Sequence, residues 1–100
     1  MKIPKQIKIG WRNYTIQSIE DKRDEKGDLL NGEIDYTNHI ISVDKNLSED
    51  EKIVTLIHEM THGIFHNQGN LKWRDNENLI CAISEGLFQI IKDNPKVFNG

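Results

Sequence analysis

The sequence predicts an α+β fold: a small N-terminal antiparallel or mixed sheet of about four strands, packed against two helices. Three observations carry this prediction. Apolar residues alternate at period two through the first half of the chain. From Ser48 onward they recur at helical period. The two patterns do not interleave, which points to a segregated sheet and helix pair rather than repeated βαβ units. A chain of 100 residues suits one domain, spanning 1–100, with a single core.

Ile7, Ile9 and Trp11 alternate with Lys8 and Gly10, the period of a half-buried strand. Tyr14–Ile19 is rich in strand formers, and Arg12-Asn13 is the expected turn between the two, giving a hairpin. Asp21–Asp28 mixes both charge signs and ends in Gly27-Asp28, an exposed loop with solvated charges. Further strands are expected at Gly32–Tyr36 and His39–Val43, with Thr37-Asn38 in the turn. Ile41 and Val43 then share one face, with His39 on that same face.

Ser48-Glu49-Asp50-Glu51 reads as a capping box. Acidic residues there complement the helix dipole. Ile53, Leu56, Ile57, Met60 and Ile64 follow at helical spacing, and Gly69 is a plausible stop, so a helix is expected over about 48–67. A second helix is expected from about Asp75 to Asp93. Its apolar stripe is Leu79, Ile80, Ile83, Leu87, Ile90 and Ile91, and Pro95 ends it.

Composition excludes some functions. Thirteen Lys+Arg against sixteen Asp+Glu give a net charge of -3, which disfavours direct nucleic-acid binding. The longest apolar run, Leu79–Ile83, is far short of the roughly 20 residues of a membrane span. Met1–Lys5 leads into no hydrophobic signal core. The single cysteine, Cys81, has no internal disulfide partner and fits a reducing cytoplasm.

His58-Glu59-Met60-Thr61-His62 reads H-E-x-x-H inside the first helix. Four residues advance a helix by about 400°, so the two imidazoles differ by about 40° in direction and about 6 Å along the axis. Both can therefore meet one metal ion. Two imidazoles, a third protein ligand and an open position suit catalytic Zn²⁺. Glu59, rotated about 100° from His58, is placed to act on water at the metal as a general base rather than to ligate. A random chain of this length contains the pattern roughly a few times in a thousand, so chance is a poor account of it. Around the helix, the histidine face lies opposite the main apolar face yet is bordered by Val54 and Phe65. That is the pattern of a helix covered on two sides.

His66, Glu77 and Glu85 are the candidates for a third ligand. His66 lies about 12 Å along the axis from His58, too far on a straight helix, although Gly63 could permit a kink. A capping or solvent-facing role suits His66 better. Glu77 lies at the margin of the second helix's buried face and in its first turn, where the dipole also favours a carboxylate. Glu85 lies further toward solvent, so Glu77 is preferred. Cys81, one turn beyond Glu77, could supply a thiolate but better suits a small buried apolar role. His39 is expected to be structural or exposed. Trp11 and Trp73 are expected to pack, with a place at a cleft border the other option. Tyr36, His39, His66 and Arg74 all remain candidates for the oxyanion stabiliser.

The H-E-x-x-H run followed by Glu77 and Leu79–Gln89 resembles the compact, gluzincin-like zinc peptidases of the ImmA/IrrE type. Lys5–Gly10, Gly32–Tyr36 and Leu87–Pro95 look like short phage-encoded members. The resemblance implies a minimal zincin-like fold, with His58, His62 and Glu77 ligating one Zn²⁺ and Glu59 activating the water. Glu77 follows His62 after fourteen intervening residues, a short interval for such enzymes. The resemblance further implies proteolysis of a specific intracellular protein, often a repressor, in the host cytoplasm. Larger relatives carry extra helices or a DNA-binding domain, for which this chain has no room.

The expected function is therefore zinc-dependent hydrolysis of a peptide bond, with the strand at His39–Val43 pairing with an extended substrate. The alternative is a non-catalytic zinc-containing binding protein, such as a phage antagonist of a host regulator. A metal-free structural domain is the third reading.

Overall fold

Two residues, Gly10 and Trp11, turn the first hairpin. The computed structural model describes residues 2–98. In it β1 (Gln6–Ile9) pairs antiparallel with β2 (Arg12–Ile19), with Ile9 opposite Arg12. Such a short loop demands a positive φ, and Gly10 supplies one of 61°. A side chain there would also run into the Asn67 side chain. Arg12 and Asn13 therefore belong to β2 rather than to the expected turn. Trp11 does not pack as a strand residue: it stands on the turn, 70% exposed, with the Arg12 guanidinium 4.2 Å from its ring centre.

After the loop through residue 28, β3 (Gly32–Asp35) pairs antiparallel with β4 (Ile40–Asp44), and β4 pairs parallel with β2. The order is β1-β2-β4-β3, a four-stranded mixed sheet. The turn between β3 and β4 covers Tyr36–His39, longer than the expected Thr37-Asn38. The Asp35 carboxylate accepts from the Thr37 and Asn38 backbone N–H groups and closes it. His39 ends the turn at φ 56°, a left-handed conformation that histidine tolerates better than most residues, so it does not continue the face of Ile41 and Val43. Its ring lies beside Tyr14 and Trp11.

β4 is central, and Ile41, Ser42, Val43 and Asp44 are all buried. It has no free edge. Pairing of an extended substrate with this strand is therefore excluded, and the edges of the sheet are β1 and β3.

Ser48 caps α1 (Glu49–Asn67), accepting from the Glu51 N–H at 3.2 Å. The Glu51 carboxylate accepts a hydrogen bond from the Ser48 hydroxyl rather than reaching back to the backbone. Gly69, at φ 73°, donates to the His66 carbonyl and ends the helix. α1 lies between β3 and β4 on one side and α3 (Glu77–Asp93) on the other, as expected of a helix covered on two sides. Leu56 joins Ile9, Tyr14, Ile41 and Val43 in the core, with Met60 and Ile34 packed against it. Each such large apolar side chain contributes about 1.5–3 kcal/mol on burial. Gly63 introduces no kink. It admits Ile9 and Ile34, whose Cδ1 atoms would stand 2.9 and 3.2 Å from an added Cβ.

A short helix, α2 (Leu71–Arg74), which the periodicity did not predict, separates α1 from α3. Asn76 caps α3, accepting from the Leu79 N–H at 3.1 Å, so the helix starts at Glu77 rather than at Asp75. Of α3, Ile80 and Ser84 are buried, whereas Leu87 and Ile90 are 41% and 45% exposed. The expected stripe is thus only partly covered, because α3 packs on α1 and the sheet lies beyond that helix. Ile64 of α1 is likewise exposed.

Candidate metal centre

The i, i+4 spacing of His58 and His62 places both rings on one side of α1, with their Nε2 atoms 3.3 Å apart. The Asn76 cap begins α3 at the point where Glu77, its first residue, faces them. Glu77 Oε2 lies 3.2 Å from His58 Nε2, and Oε1 lies 2.8 Å from His62 Nε2. Tetrahedral zinc with bonds of about 2.0–2.1 Å separates its ligand atoms by about 3.3 Å, so this triangle has nearly the size that such an ion needs.

Proton bookkeeping points to a cation as well. His62 Nδ1 lies 2.6 Å from the Arg74 carbonyl oxygen, which can only accept, so Nδ1 carries the proton. Nε2 is then the nitrogen that faces the Glu77 carboxylate, and it is the one that can ligate an ion placed between them. The same Nδ1 bond orients the ring, the usual outer support of a ligating histidine. Burial lowers the His58 pKa and outweighs the Glu77 carboxylate, which acts the other way; this favours the neutral, ligating form. The chemistry of these three donors fits a divalent ion of the zinc type.

The other sequence candidates fall outside the triangle. His66 lies outside it, half-buried, with its carbonyl accepting from Gly69 at the end of α1. Its ring stacks on Tyr36 with centres 4.1 Å apart, and its Nδ1 lies 3.0 Å from Arg74 Nη1. Arg74 is held in turn by the Asp75 carboxylate at 2.8 and 3.2 Å. Glu85 lines the same cleft as the triangle but joins no ligand set. Cys81 is half-buried rather than fully enclosed, with Sγ 3.9 Å from His58 Nδ1. Trp73 packs edge-on against Phe65 with half its surface open.

Glu59, next in sequence to His58, is only 6% exposed and makes no hydrogen bond among the described residues. Burial, reinforced by Glu77 and Glu33, pushes its carboxyl up to about 8. It opens into a cleft of about 560 Å³ shared with His58, His62 and Glu77. Gly32, at the start of β3, makes this fit possible: an added Cβ would stand 2.5 Å from Thr55 Cγ2 and 2.8 Å from the Ser42 carbonyl.

Sequence reasoning missed two contributors. The Arg74 carbonyl acts through the backbone, which side-chain identity does not reveal. Asp24 is exposed, as expected of its loop, and also borders the cleft because the loop folds back. An isolated bridge pairs Arg23 with Leu29, and Asp24 Oδ1 accepts from the Lys26 and Asp28 N–H groups, both at 2.9 Å.

A mixed sheet backing an H-E-x-x-H helix, with a carboxylate from the following long helix completing a three-atom ligand set, defines a metallopeptidase-like architecture. The chain belongs to the IrrE N-terminal-like domain family, Peptidase_M78, whose family model matches residues 16–82. That span includes His58, Glu59, His62 and Glu77. Neither the curated proteins nor the solved structures yielded a match.

Proposed function

We propose that this chain is a zinc-dependent peptidase that hydrolyses a peptide bond in a specific protein. The observation that carries the reading is a buried carboxylate without a hydrogen bond, Glu59, beside a three-atom ligand set of the right size. His58, His62 and Glu77 would hold the ion. When bound, zinc polarises the scissile carbonyl and makes water a stronger acid. Glu59 takes a proton from the attacking water and delivers it to the leaving amine as the C–N bond breaks. Glu59 would be held in its ionised form by the charge of a dication on these ligands, against the burial that raises its pKa. The Arg74 carbonyl keeps His62 in the ligating tautomer.

An extended substrate pairs with β3, the sheet edge that begins beside the cleft at Gly32. The resemblance to ImmA/IrrE-type peptidases makes a repressor-type regulator in the cytoplasm the first protein to test.

The experiment compares the zinc-loaded wild type with zinc-loaded Glu59→Gln on candidate regulators, mapping new N-termini by mass spectrometry. Cleavage by the wild type alone is expected. Equal cleavage by both removes Glu59 from the mechanism. A zinc-dependent biological effect that survives in Glu59→Gln would mark a binding protein instead.

A further inference from the structure

Beyond the ligand triangle, the cleft continues into a region whose charges the hydrolytic chemistry does not use. We propose that this region is a subsite for a lysine or arginine side chain flanking the scissile bond, with Glu85 and Asp24 as its charge partners. The proposal rests on the peptidase reading only in taking its occupant to be a peptide.

Glu77, Cys81 and Glu85 recur every four residues and line the cleft from one face of α3. Cys81 Sγ already touches the His58 ring, so Glu85 stands one turn, about 6 Å, further from the ligands. That is the reach of a lysine or arginine stem. Apolar side chains, Leu29, Leu30 and Val54, line the same cleft. An apolar stem with a cationic tip matches this sequence of surfaces.

The carboxylates are available. Glu85 has no hydrogen bond or ion pair among the described residues, and Asp24 commits only Oδ1 to its loop. No lysine or arginine among the described residues lines the cleft. Lys22 pairs with Glu33 and Arg23 donates to the Gly27 carbonyl, and together with Lys26 they line a neighbouring surface pocket that shares Asp24. Glu59, more than nine-tenths buried and without a hydrogen bond among the described residues, opens into the same cleft and places a further polar group at its inner end. An acidic side chain would meet three carboxylates there.

The test uses the zinc-loaded full chain and a randomised peptide pool, read in two ways. Cleavage sites of the wild type are mapped by mass spectrometry, and pool members retained by zinc-loaded Glu59→Gln are sequenced. At one position Lys and Arg should exceed Met, which has similar length without charge, by about threefold to tenfold. Glu85→Gln should bring that ratio toward one, Glu85→Lys should turn it toward Asp and Glu, and about 0.5 M salt should shrink it. The absence of basic enrichment among retained peptides, or an enrichment that Glu85→Lys leaves intact, overturns the proposal. Selective retention without any cleavage would remove the peptidase reading and leave the subsite standing. Cleavage without a basic preference would do the reverse.

Discussion

Replacing Glu59 with glutamine should make the metal-free protein more stable, and increasingly so as pH rises. The Glu59 carboxyl is raised from 4.5 to about 8, chiefly by burial. An acid raised in this way keeps its proton in the folded state over a range where the unfolded chain has released it. Its contribution is therefore most favourable below pH 4.5 and is lost progressively as pH climbs toward 8. At 1.36 kcal/mol per unit, the loss at pH 7 is about 3 kcal/mol, and above pH 8 it reaches roughly 4–5 kcal/mol. Glutamine has nearly the same shape and no charge to lose. For a domain of this size, each kcal/mol moves Tm by about 4–8 °C, so a rise on the order of 10 °C is expected at pH 7. The assay is thermal unfolding of both proteins in excess chelator from pH 5 to pH 8. The two Tm values should differ by only about 3–7 °C at pH 5 and separate steadily above it. A gap that is absent at pH 8, or constant with pH, refutes the reasoning. Saturating zinc should narrow the gap, because the ion favours the carboxylate that burial opposes.

Chelation should lower the Tm of the wild type and one equivalent of zinc should restore it, as followed by calorimetry. Glu77→Gln should weaken zinc binding on the order of 100-fold or more in competition with a chromophoric chelator, since it weakens a ligand rather than an outer support. Asn76→Ala removes the cap that starts α3 at Glu77. It should cost about 1 kcal/mol in urea unfolding and reduce zinc affinity in the same protein. Gly32→Ala drives a Cβ against Thr55 and the Ser42 carbonyl. It should destabilise the fold by about 1–3 kcal/mol, read from the urea midpoint.

The parts of this structure that were legible in the sequence are those in which side-chain identity decides the geometry. Ser48 with Glu51 marked the start of α1, Gly69 marked its end, and His58 with His62 announced a shared direction that the Nε2 separation of 3.3 Å displays. The parts that were not legible are decided by the backbone or by tertiary pairing. The period-two pattern of Ile7, Ile9 and Trp11 extends past the strand because Gly10 bends the chain, a property of φ that alternation cannot register. The place of β4 in the middle of the sheet follows from its parallel pairing with β2, which no local signal encodes. α2 spans four residues, too short to establish a helical period. Leu87 and Ile90 repeat as regularly as Ile80, yet α1 is too narrow to cover them all. Within the site, Glu77 was readable as a carboxylate at a helix start, whereas the carbonyl that steadies His62 was not.

Gly32 fixes more than a packing distance. With no side chain of its own, Gly32 lets β3 close onto the Thr55 and Glu59 side chains of α1. The distance between β3 and the helix is therefore set where Gly32 meets the Thr55 and Glu59 side chains. Side chains farther along the cleft can change without altering that distance, whereas any side chain at position 32 would widen it.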